Sequence, residues 1–192
     1  MSGKIVVIAG PSGSGKNTLI NRLVARQPRI GKLVTVTTRL PREGEQEGKD
    51  YFFYTPEQFD AALAEGDLVG TRFVPTLGGI RYGILVPELE KAVKKYRMLF
   101  APVDLTGMQW LKEHYRIISF FIMPESLEAF RARVKARSTM PPAEFEQRMK
   151  ITEAEVHLHA PEYDYRIVNG DGMLAQTEEE IVAILTKEGY TL

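Results

Sequence analysis

The chain carries a glycine-rich segment that ends in a lysine, a pattern typical of phosphate-binding loops. The segment reads G-P-S-G-S-G-K-N over residues 10–17 and directly follows the apolar run Ile5–Ala9. Glycines in such a loop let backbone N–H groups approach phosphate oxygens closely, partly at positive φ. Lys16 would reach the β- and γ-phosphates, and the N-terminus of the following helix would attract the same anions. The pattern predicts nucleoside triphosphate binding by Gly10, Pro11, Ser12, Gly13, Ser14, Gly15, Lys16, Asn17 and Thr18.

The last position of this loop bears on metal binding. It holds Asn17, where a serine or threonine hydroxyl normally binds Mg²⁺. Mg²⁺ accepts several kinds of oxygen ligand and keeps most of its waters, so the Asn17 amide oxygen or the Thr18 hydroxyl can serve as its ligand. The alternative is that Asn17 only caps or packs, while phosphates and water hold the ion. The residues alone leave both interpretations open.

A second cluster combines two arginines with a tyrosine. Arg39 and Arg42 are three residues apart, and Tyr51 follows them. Guanidinium groups bind phosphate through paired hydrogen bonds, to which a phenolic O–H can add another. The alternative is an ordinary charged surface loop, which Gly44 and Gly48 would suit equally well. Two phosphate-directed clusters in one small domain imply a donor and an acceptor, and hence phosphoryl transfer.

A third group of basic residues surrounds a proline-containing turn. Arg131, Arg133, Lys135 and Arg137 precede the turn at 138–142, and Arg148 and Lys150 follow it. A basic helix is usually a solvated surface. Beside a triphosphate site, however, arginines on a hinged helical hairpin would clamp the phosphoryl group during transfer.

Composition limits the possible partners. The 192 residues contain 25 basic and 25 acidic side chains, so no overall positive charge attracts nucleic acid or an anionic membrane. The absence of cysteine excludes disulfides and thiol catalysis, and it is compatible with a cytoplasmic location. The N-terminus lacks the layout of a signal peptide, and no apolar run approaches the length of a membrane span. These features fit a cytoplasmic enzyme, as a monomer or a homodimer.

Apolar, β-prone runs alternate with helical patterns, which predicts one α/β domain with a parallel sheet between helices. The main-sheet strands are predicted at Lys4–Ala9, Leu33–Val36, Met98–Val103, Ile117–Ile122 and Tyr165–Val168. The helices are predicted at Lys16–Arg26, Pro87–Lys95, Gly107–His114, Leu127–Arg137, Ala143–Leu158 and Glu178–Lys187. Between residues 51 and 84 the pattern changes to a small mixed insert of short strands and one helix.

The sequence resembles the guanylate kinase family over most of its length. The shared motifs are G-P-S-G-S-G-K, T-T-R-x-P-R-x-G-E-x-x-G-x-D-Y-x-F from residue 37, R-Y-G at 81–83, V-D-x-x-G at 103–107 and I-V-N at 167–169. The stretch from T-T-R to D-Y is the most specific of them. The resemblance implies a P-loop NTPase core, an acceptor-binding insert at about 33–86 and a helical lid at about 133–149.

The resemblance also implies roles for individual residues. Those implied to bind the acceptor are Thr35, Arg39, Arg42, Tyr51, Tyr82 and Asp104; for Asp104 a simple strand-end cap is the alternative. Lys16, Arg137 and Arg148 would stabilise the charge on the transferring phosphoryl group. Asn169 would lie near the adenine of ATP.

Departures from the family concern the base more than the phosphates. The family usually has a glutamate in the insert that accepts from guanine N–H groups, and its nearest counterpart here is Gly70 or Thr71. Ile84 replaces a hydroxyl residue, and Pro102 replaces the first acid of a D-x-D motif. Because hydrogen bonds to a base discriminate strongly, these changes predict altered base recognition.

The expected activity is transfer of a phosphoryl group from ATP, with Mg²⁺, to a nucleoside monophosphate, with GMP as the expected acceptor and GDP and ADP as products. One alternative keeps the fold but uses a phosphorylated sugar such as ribose 1,5-bisphosphate as acceptor. The other is a non-catalytic module that binds a phosphorylated partner. Lys16 and the three loop glycines favour an enzyme over the module.

Overall fold

The structure is a computed structural model that describes residues 4–75, 78–136 and 141–190. Its strands are β1 (Lys4–Ala9), β2 (Ile30–Lys32), β3 (Thr35–Thr37), β4 (Tyr51–Phe53), β5 (Leu68–Val74), β6 (Ile80–Leu85), β7 (Met98–Ala101), β8 (Ile117–Met123) and β9 (Tyr165–Val168). Its α-helices are α1 (Lys16–Ala25), α2 (Pro56–Ala64), α3 (Val86–Lys95), α4 (Leu105–His114), α5 (Leu127–Ala136), α6 (Pro142–Ala154) and α7 (Leu174–Lys187).

The main sheet is parallel and has helices on both faces. Its strand order is β2-β7-β1-β8-β9. Alternate residues of β1 point to opposite faces: Val6 and Ile8 pack in the core that contains α1 and α7, and Val7 packs in the core that contains α3 and α4. Burial on both faces explains why these strands are continuously apolar. The predicted α/β fold class is confirmed.

The structure corrects one predicted main-sheet strand, Leu33–Val36. The edge strand of the main sheet is β2, in which Ile30 pairs with Met98. The chain then leaves this sheet: the Leu33 N–H still donates to the Phe100 carbonyl at 2.8 Å, but Val36 packs in a separate cluster. The apolar residues of this short run therefore belong to two cores, a division that their pattern does not reveal.

A second sheet, with strand order β4-β3-β6-β5, comes from the segment where the sequence predicts a mixed insert. Strand β3 is parallel to β4 and antiparallel to β6. One face of this sheet packs on α2 through Val36, Phe59 and Leu68. The register between β5 and β6 shifts between Val69 and Arg72, which marks a bulge.

Helices α5 and α6 pack against each other through Phe130, Phe145 and Met149. The turn between them lies outside the described residues, and so does Arg137. The predicted helix Ala143–Leu158 is α-helical only as far as Ala154, and a π-helical turn follows at Glu155–His159. Among the helices of the described part of the chain, none combines the length and apolar character needed to cross a bilayer.

Candidate active site

A cavity of about 570 Å³ lies between the glycine-rich loop, the second sheet, the start of α4 and helix α6. This volume is in the range of small-molecule sites. The cavity brings together residues from both predicted phosphate clusters and from α6. Its lining includes Gly10, Ser12, Lys16, Thr35, Arg39, Arg42, Tyr51, Gly70, Arg72, Tyr82, Ile84, Pro102, Asp104, Glu144, Arg148 and Glu155.

The glycine-rich loop has backbone geometry that requires glycine. Gly10, Gly13 and Gly15 have φ values of 146°, 99° and 88°. A Cβ on Gly10 would lie 2.7 Å from the Ile122 carbonyl oxygen. Gly15 precedes α1, whose first turn has no acidic residue and no side-chain cap, so the helix N-terminus is left for an anion. These features fit a cradle for the phosphates of ATP.

Lys16 donates from Nζ to the Pro11 carbonyl at 3.2 Å and lines the cavity. Burial lowers the pKa of Lys16 to about 8; Glu155 opposes this shift, whereas Arg148, Arg42 and Arg72 reinforce it. Cations from three parts of the chain thus converge on this ammonium group. Arg72 is itself paired with Glu155 and Asp104, so a polyphosphate would relieve the repulsion among Lys16, Arg42 and Arg148.

Asn169 is buried beneath the loop. Its side-chain amide donates to the Ser14 carbonyl at 2.8 Å, and its Oδ1 accepts from the Thr177 hydroxyl at 3.1 Å. Asn169 therefore fixes the loop from below in this structure. Its contact with adenine stays a prediction.

Helix α6 brings Arg148 to the loop, where its Nη2 donates to Ser12 Oγ. Burial and then Arg42 lower the pKa of Arg148, so the two guanidinium groups are near each other. On α5, Arg133 has buried Nε and Nη2 atoms without a hydrogen-bond partner among the described residues. Its neighbour Phe130 lies against Gly13 of the loop. Two buried donors of Arg133 beside this loop thus lack a partner among the described residues.

The predicted Mg²⁺ ligands Asn17 and Thr18 are exposed at the start of α1 and make no side-chain hydrogen bond to the described residues. Within the described ranges, no three His, Asp or Glu side chains converge into a ready-made metal site. The two exposed oxygen donors, Asn17 and Thr18, fit an ion that is held mainly by nucleotide phosphates and water, as Mg²⁺ usually is.

The predicted acceptor-phosphate residues meet on the cavity side of the second sheet. Arg39 forms two 2.6 Å hydrogen bonds to Glu45 and stacks over Tyr51, with its Cζ 4.9 Å from the ring centroid. The hydrogen bonds from Arg39 lower the pKa of Glu45 to about 2. The Tyr51 and Tyr82 ring centroids are 6.2 Å apart. Arg42, by contrast, has an exposed side chain without a hydrogen bond to the described residues.

Burial raises the pKa of Tyr51, and Tyr82 adds to the shift, so the phenol keeps its proton and can donate to an anion. Thr35 pairs with Tyr51 in the register of β3 and β4. Thr35 is 5% exposed and lines the cavity, and its hydroxyl makes no hydrogen bond to the described residues. The hydroxyl is therefore available to a ligand.

The remaining wall of the cavity contains the positions at which the sequence departs from the family pattern, Gly70, Ile84 and Pro102. Gly70 has φ 53°, and a Cβ there would lie 2.9 Å from the Cα of Gly107 at the start of α4. Asp104 is the N-cap of α4, where its Oδ1 accepts from the Gly107 N–H at 3.1 Å, and its Oδ2 lies 3.5 Å from Arg72 Nη1. Asp104 thus caps a helix and also faces the cavity.

Sequence reasoning missed two charged residues of this wall, Arg72 and Glu155. The one available signal for Arg72 is a charged residue in a half-buried strand just after Gly70. Glu155 gives no signal, because it lies within a run of helical pattern that contains other acids. It lies at the junction of α6 and the π-helical turn, a feature that often marks functional sites.

Known proteins share both the sequence and the fold of this chain. Residues 2–188 match the family model described as guanylate kinase. The guanylate kinase of Bacteroides thetaiotaomicron is 34% identical over 192 residues, which cover 98% of this chain and 93% of that protein. That of Anaplasma phagocytophilum is 37% identical over 191 residues, which cover 97% and 87%. A crystal structure of guanylate kinase from Anaplasma phagocytophilum has a TM-score of 0.73 at 33% identity, covering 97% of this chain and 86% of that one. The chain therefore belongs to the guanylate kinase family.

Proposed function

We propose that the protein transfers a phosphoryl group from ATP to GMP and releases GDP and ADP. The observation that carries this proposal is a single cavity lined by Lys16 of the glycine-rich loop and by Arg42 and Tyr51 of the second sheet. A donor grip and an acceptor grip that face one space are what transfer between two phosphates requires. Membership of the guanylate kinase family supports the nucleotide acceptor.

In this mechanism the acceptor phosphate needs no strong general base, because its attacking oxygen is already anionic. The protein contributes positioning and charge. Arg39, Arg42, Tyr51 and Tyr82 would hold the acceptor phosphate in line with the γ-phosphorus, and Arg39 would also orient Tyr51 by stacking on it. Lys16 and Arg148 would stabilise the negative charge that spreads over the transferring group. Mg²⁺, when bound with ATP, neutralises further phosphate charge. We assign Arg137 to the same task, as the sequence predicts.

We further assign the second sheet and its helix, at about residues 33–86, as the acceptor-binding insert. We likewise assign residues at about 133–149 as the lid. The bond from Arg148 on α6 to Ser12 supports the lid, because it joins this helix to the donor loop. Closure of both parts over the cavity would exclude water, which otherwise competes as phosphoryl acceptor. A cytoplasmic location, and a monomeric or homodimeric state, stay predictions from the sequence.

The proposal is tested by coupling ADP release to a spectroscopic assay with GMP, AMP, UMP, CMP and ribose 1,5-bisphosphate as acceptors. We expect turnover with GMP. Activity only with the sugar bisphosphate would favour that alternative, and no ADP release with any acceptor would favour a binding module. The relatives that support the proposal favour neither alternative.

One variant and its matched control test the role of Arg42 in binding the acceptor. Arg42→Ala is expected to raise the KM for GMP by about 10- to 100-fold, since charge-assisted hydrogen bonds are worth about 1.5–3 kcal/mol. The KM for ATP should change much less. Arg29→Ala, an exposed arginine outside the cavity, is the matched control and should behave as the unmodified protein. An unchanged KM for GMP in Arg42→Ala would refute the assignment of Arg42.

A further inference from the structure

The bulge in β5 places one arginine in the cavity wall. The register shift lies between Val69 and Arg72, and Gly70 fits only without a side chain because α4 passes so close. No carboxylate can therefore occupy position 70 without displacing this backbone. The charged side chain that this strand supplies to the cavity is Arg72.

Two carboxylates hold Arg72, and both engage the same nitrogen. Nη1 donates to Glu155 Oε1 at 3.0 Å and lies 3.5 Å from Asp104 Oδ2. The Nε and Nη2 atoms make no hydrogen bond to the described residues, and the side chain keeps a quarter of its surface exposed. A guanidinium group has five N–H donors in a planar fork and no acceptor. The edge left free can therefore bind only hydrogen-bond acceptors.

The local charge indicates what kind of acceptor fits. The guanidinium of Arg72 contacts two carboxylates, so these three groups together carry a net negative charge; Lys16 is the next cation, close enough for Glu155 to raise its pKa. Burial alone would lower the pKa of Arg72, but Glu155 and then Asp104 hold it above its usual value, so the group stays charged. A second phosphate would be repelled by the carboxylates. A neutral ring that presents oxygen or nitrogen lone pairs would be accepted.

We propose that Arg72 is a specificity-determining residue that donates from Nε and Nη2 to O6 and N7 of the acceptor guanine. This inference rests on the proposed function, because it assigns the base of the same acceptor. The O6 and N7 atoms of guanine are adjacent acceptors that match an arginine fork. Adenine presents N7 beside an amino group, so its donor would meet the donors of Arg72. Glu155 and Asp104 act as positioning residues that fix the plane of the fork.

The test combines a side-chain change with an atom change in the substrate. The kcat/KM is measured for GMP, 7-deaza-GMP and AMP with the unmodified protein and with Arg72→Lys and Arg72→Ala. Lysine keeps a positive charge between the two carboxylates but lacks the paired planar N–H donors of arginine. Arg72→Lys therefore distinguishes recognition of the base from a purely structural ion pair. Arg29→Ala is again the surface control, and thermal unfolding of each variant reports on folding.

A bidentate contact to a base corresponds to about a 10- to 100-fold preference. We expect both Arg72 variants to lose about that factor with GMP and to lose most of their preference for GMP over AMP. Removal of N7 should lower kcat/KM about tenfold in the unmodified protein and hardly at all in the variants, because coupled partners are not additive. Equal N7 effects in all forms, or an unchanged GMP-to-AMP ratio in Arg72→Lys, would overturn the proposal.

Failure of this inference and failure of the proposed function can be told apart. Absence of turnover with GMP in the unmodified protein would refute the proposed function. Calorimetric binding of GMP and 7-deaza-GMP to the unmodified protein and to Arg72→Lys would then still test Arg72, because binding does not depend on turnover. If GMP and 7-deaza-GMP bound equally well to the unmodified protein, Arg72 would not read N7.

Discussion

Lys16 is expected to take up a proton when ATP binds, because the ligand-free protein holds its pKa at about 8. Burial is the main cause of this low pKa, and Arg148, Arg42 and Arg72 add to it while Glu155 opposes them. A bound triphosphate brings several negative charges to the ammonium group and should return its pKa to the usual value near 10.4 or above. Binding and protonation are therefore linked.

The size of the uptake follows from the pKa. At pH 8 about half of the Lys16 side chains are neutral before binding, so about 0.5 proton is taken up per ATP. At pH 7 the uptake falls to about 0.1, since about a tenth of the side chains are neutral. Above pH 8 the affinity for ATP should fall, up to about tenfold per pH unit, because neutral Lys16 must first be protonated.

The assay is isothermal titration calorimetry of ATP at pH 8 in buffers with different ionisation enthalpies. The slope of the observed enthalpy against buffer enthalpy gives the number of protons exchanged. Lys16→Arg is the control, because a guanidinium group stays charged at this pH and should reduce the uptake nearly to zero. Uptake that is absent in the unmodified protein, or unchanged in Lys16→Arg, would refute the low pKa of Lys16 as its cause.

Three further predictions concern the backbone, the donor loop and an ion pair between helices. Gly70→Ala should lower the free energy of unfolding by about 2–4 kcal/mol through strain and a clash with α4, whereas Gly44→Ala, at φ 83° in open space, should cost only about 1–2 kcal/mol in urea denaturation. Asn169→Ala should raise the KM for ATP about fivefold or more and leave that for GMP unchanged in steady-state kinetics, because it removes one hydrogen bond to the loop; a change confined to GMP would contradict this role. Glu178 is 4% exposed and joins α7 to two arginines of the α1 segment, so Glu178→Ala should cost about 1–3 kcal/mol, against about 0.5 or less for the exposed Glu90→Ala. Burial would raise the pKa of Glu178, but its hydrogen bonds to Arg26 and Arg22 lower the pKa below the ordinary value near 4.3. The stabilisation from Glu178 is therefore present above about pH 4.3 and is lost as the pH falls through the lower pKa of the folded state. Acid unfolding of the unmodified protein and of Glu178→Ala would measure this loss.

The phosphate-binding parts of this protein could be predicted from sequence because their chemistry is local. The loop at 10–17 needs glycines at fixed spacing to adopt positive φ, and these glycines are adjacent to the lysine that they serve. Strands β1 and β8 could be predicted for a related reason, since burial on both faces requires a continuous apolar run. The predicted run Leu33–Val36 was wrong as one strand because its residues pack in two different cores.

The sequence by itself determined the reaction class, since the two phosphate-directed clusters identify a donor and an acceptor before any fold is known. Only the tertiary structure decided which charged side chains line the cavity wall beside Gly70. Arg72 and Glu155 are 83 positions apart and meet at one wall of the cavity, where Arg72 follows a bulge in β5 and Glu155 lies at the junction of α6 and a π-helical turn. Neither irregularity leaves a periodic pattern in the sequence, since each arises where the packing of distant elements overrides local preference. The physical reason is separation along the chain: the glycine-rich loop is built from neighbouring backbone groups, whereas this wall is built from side chains that only the packed fold brings together.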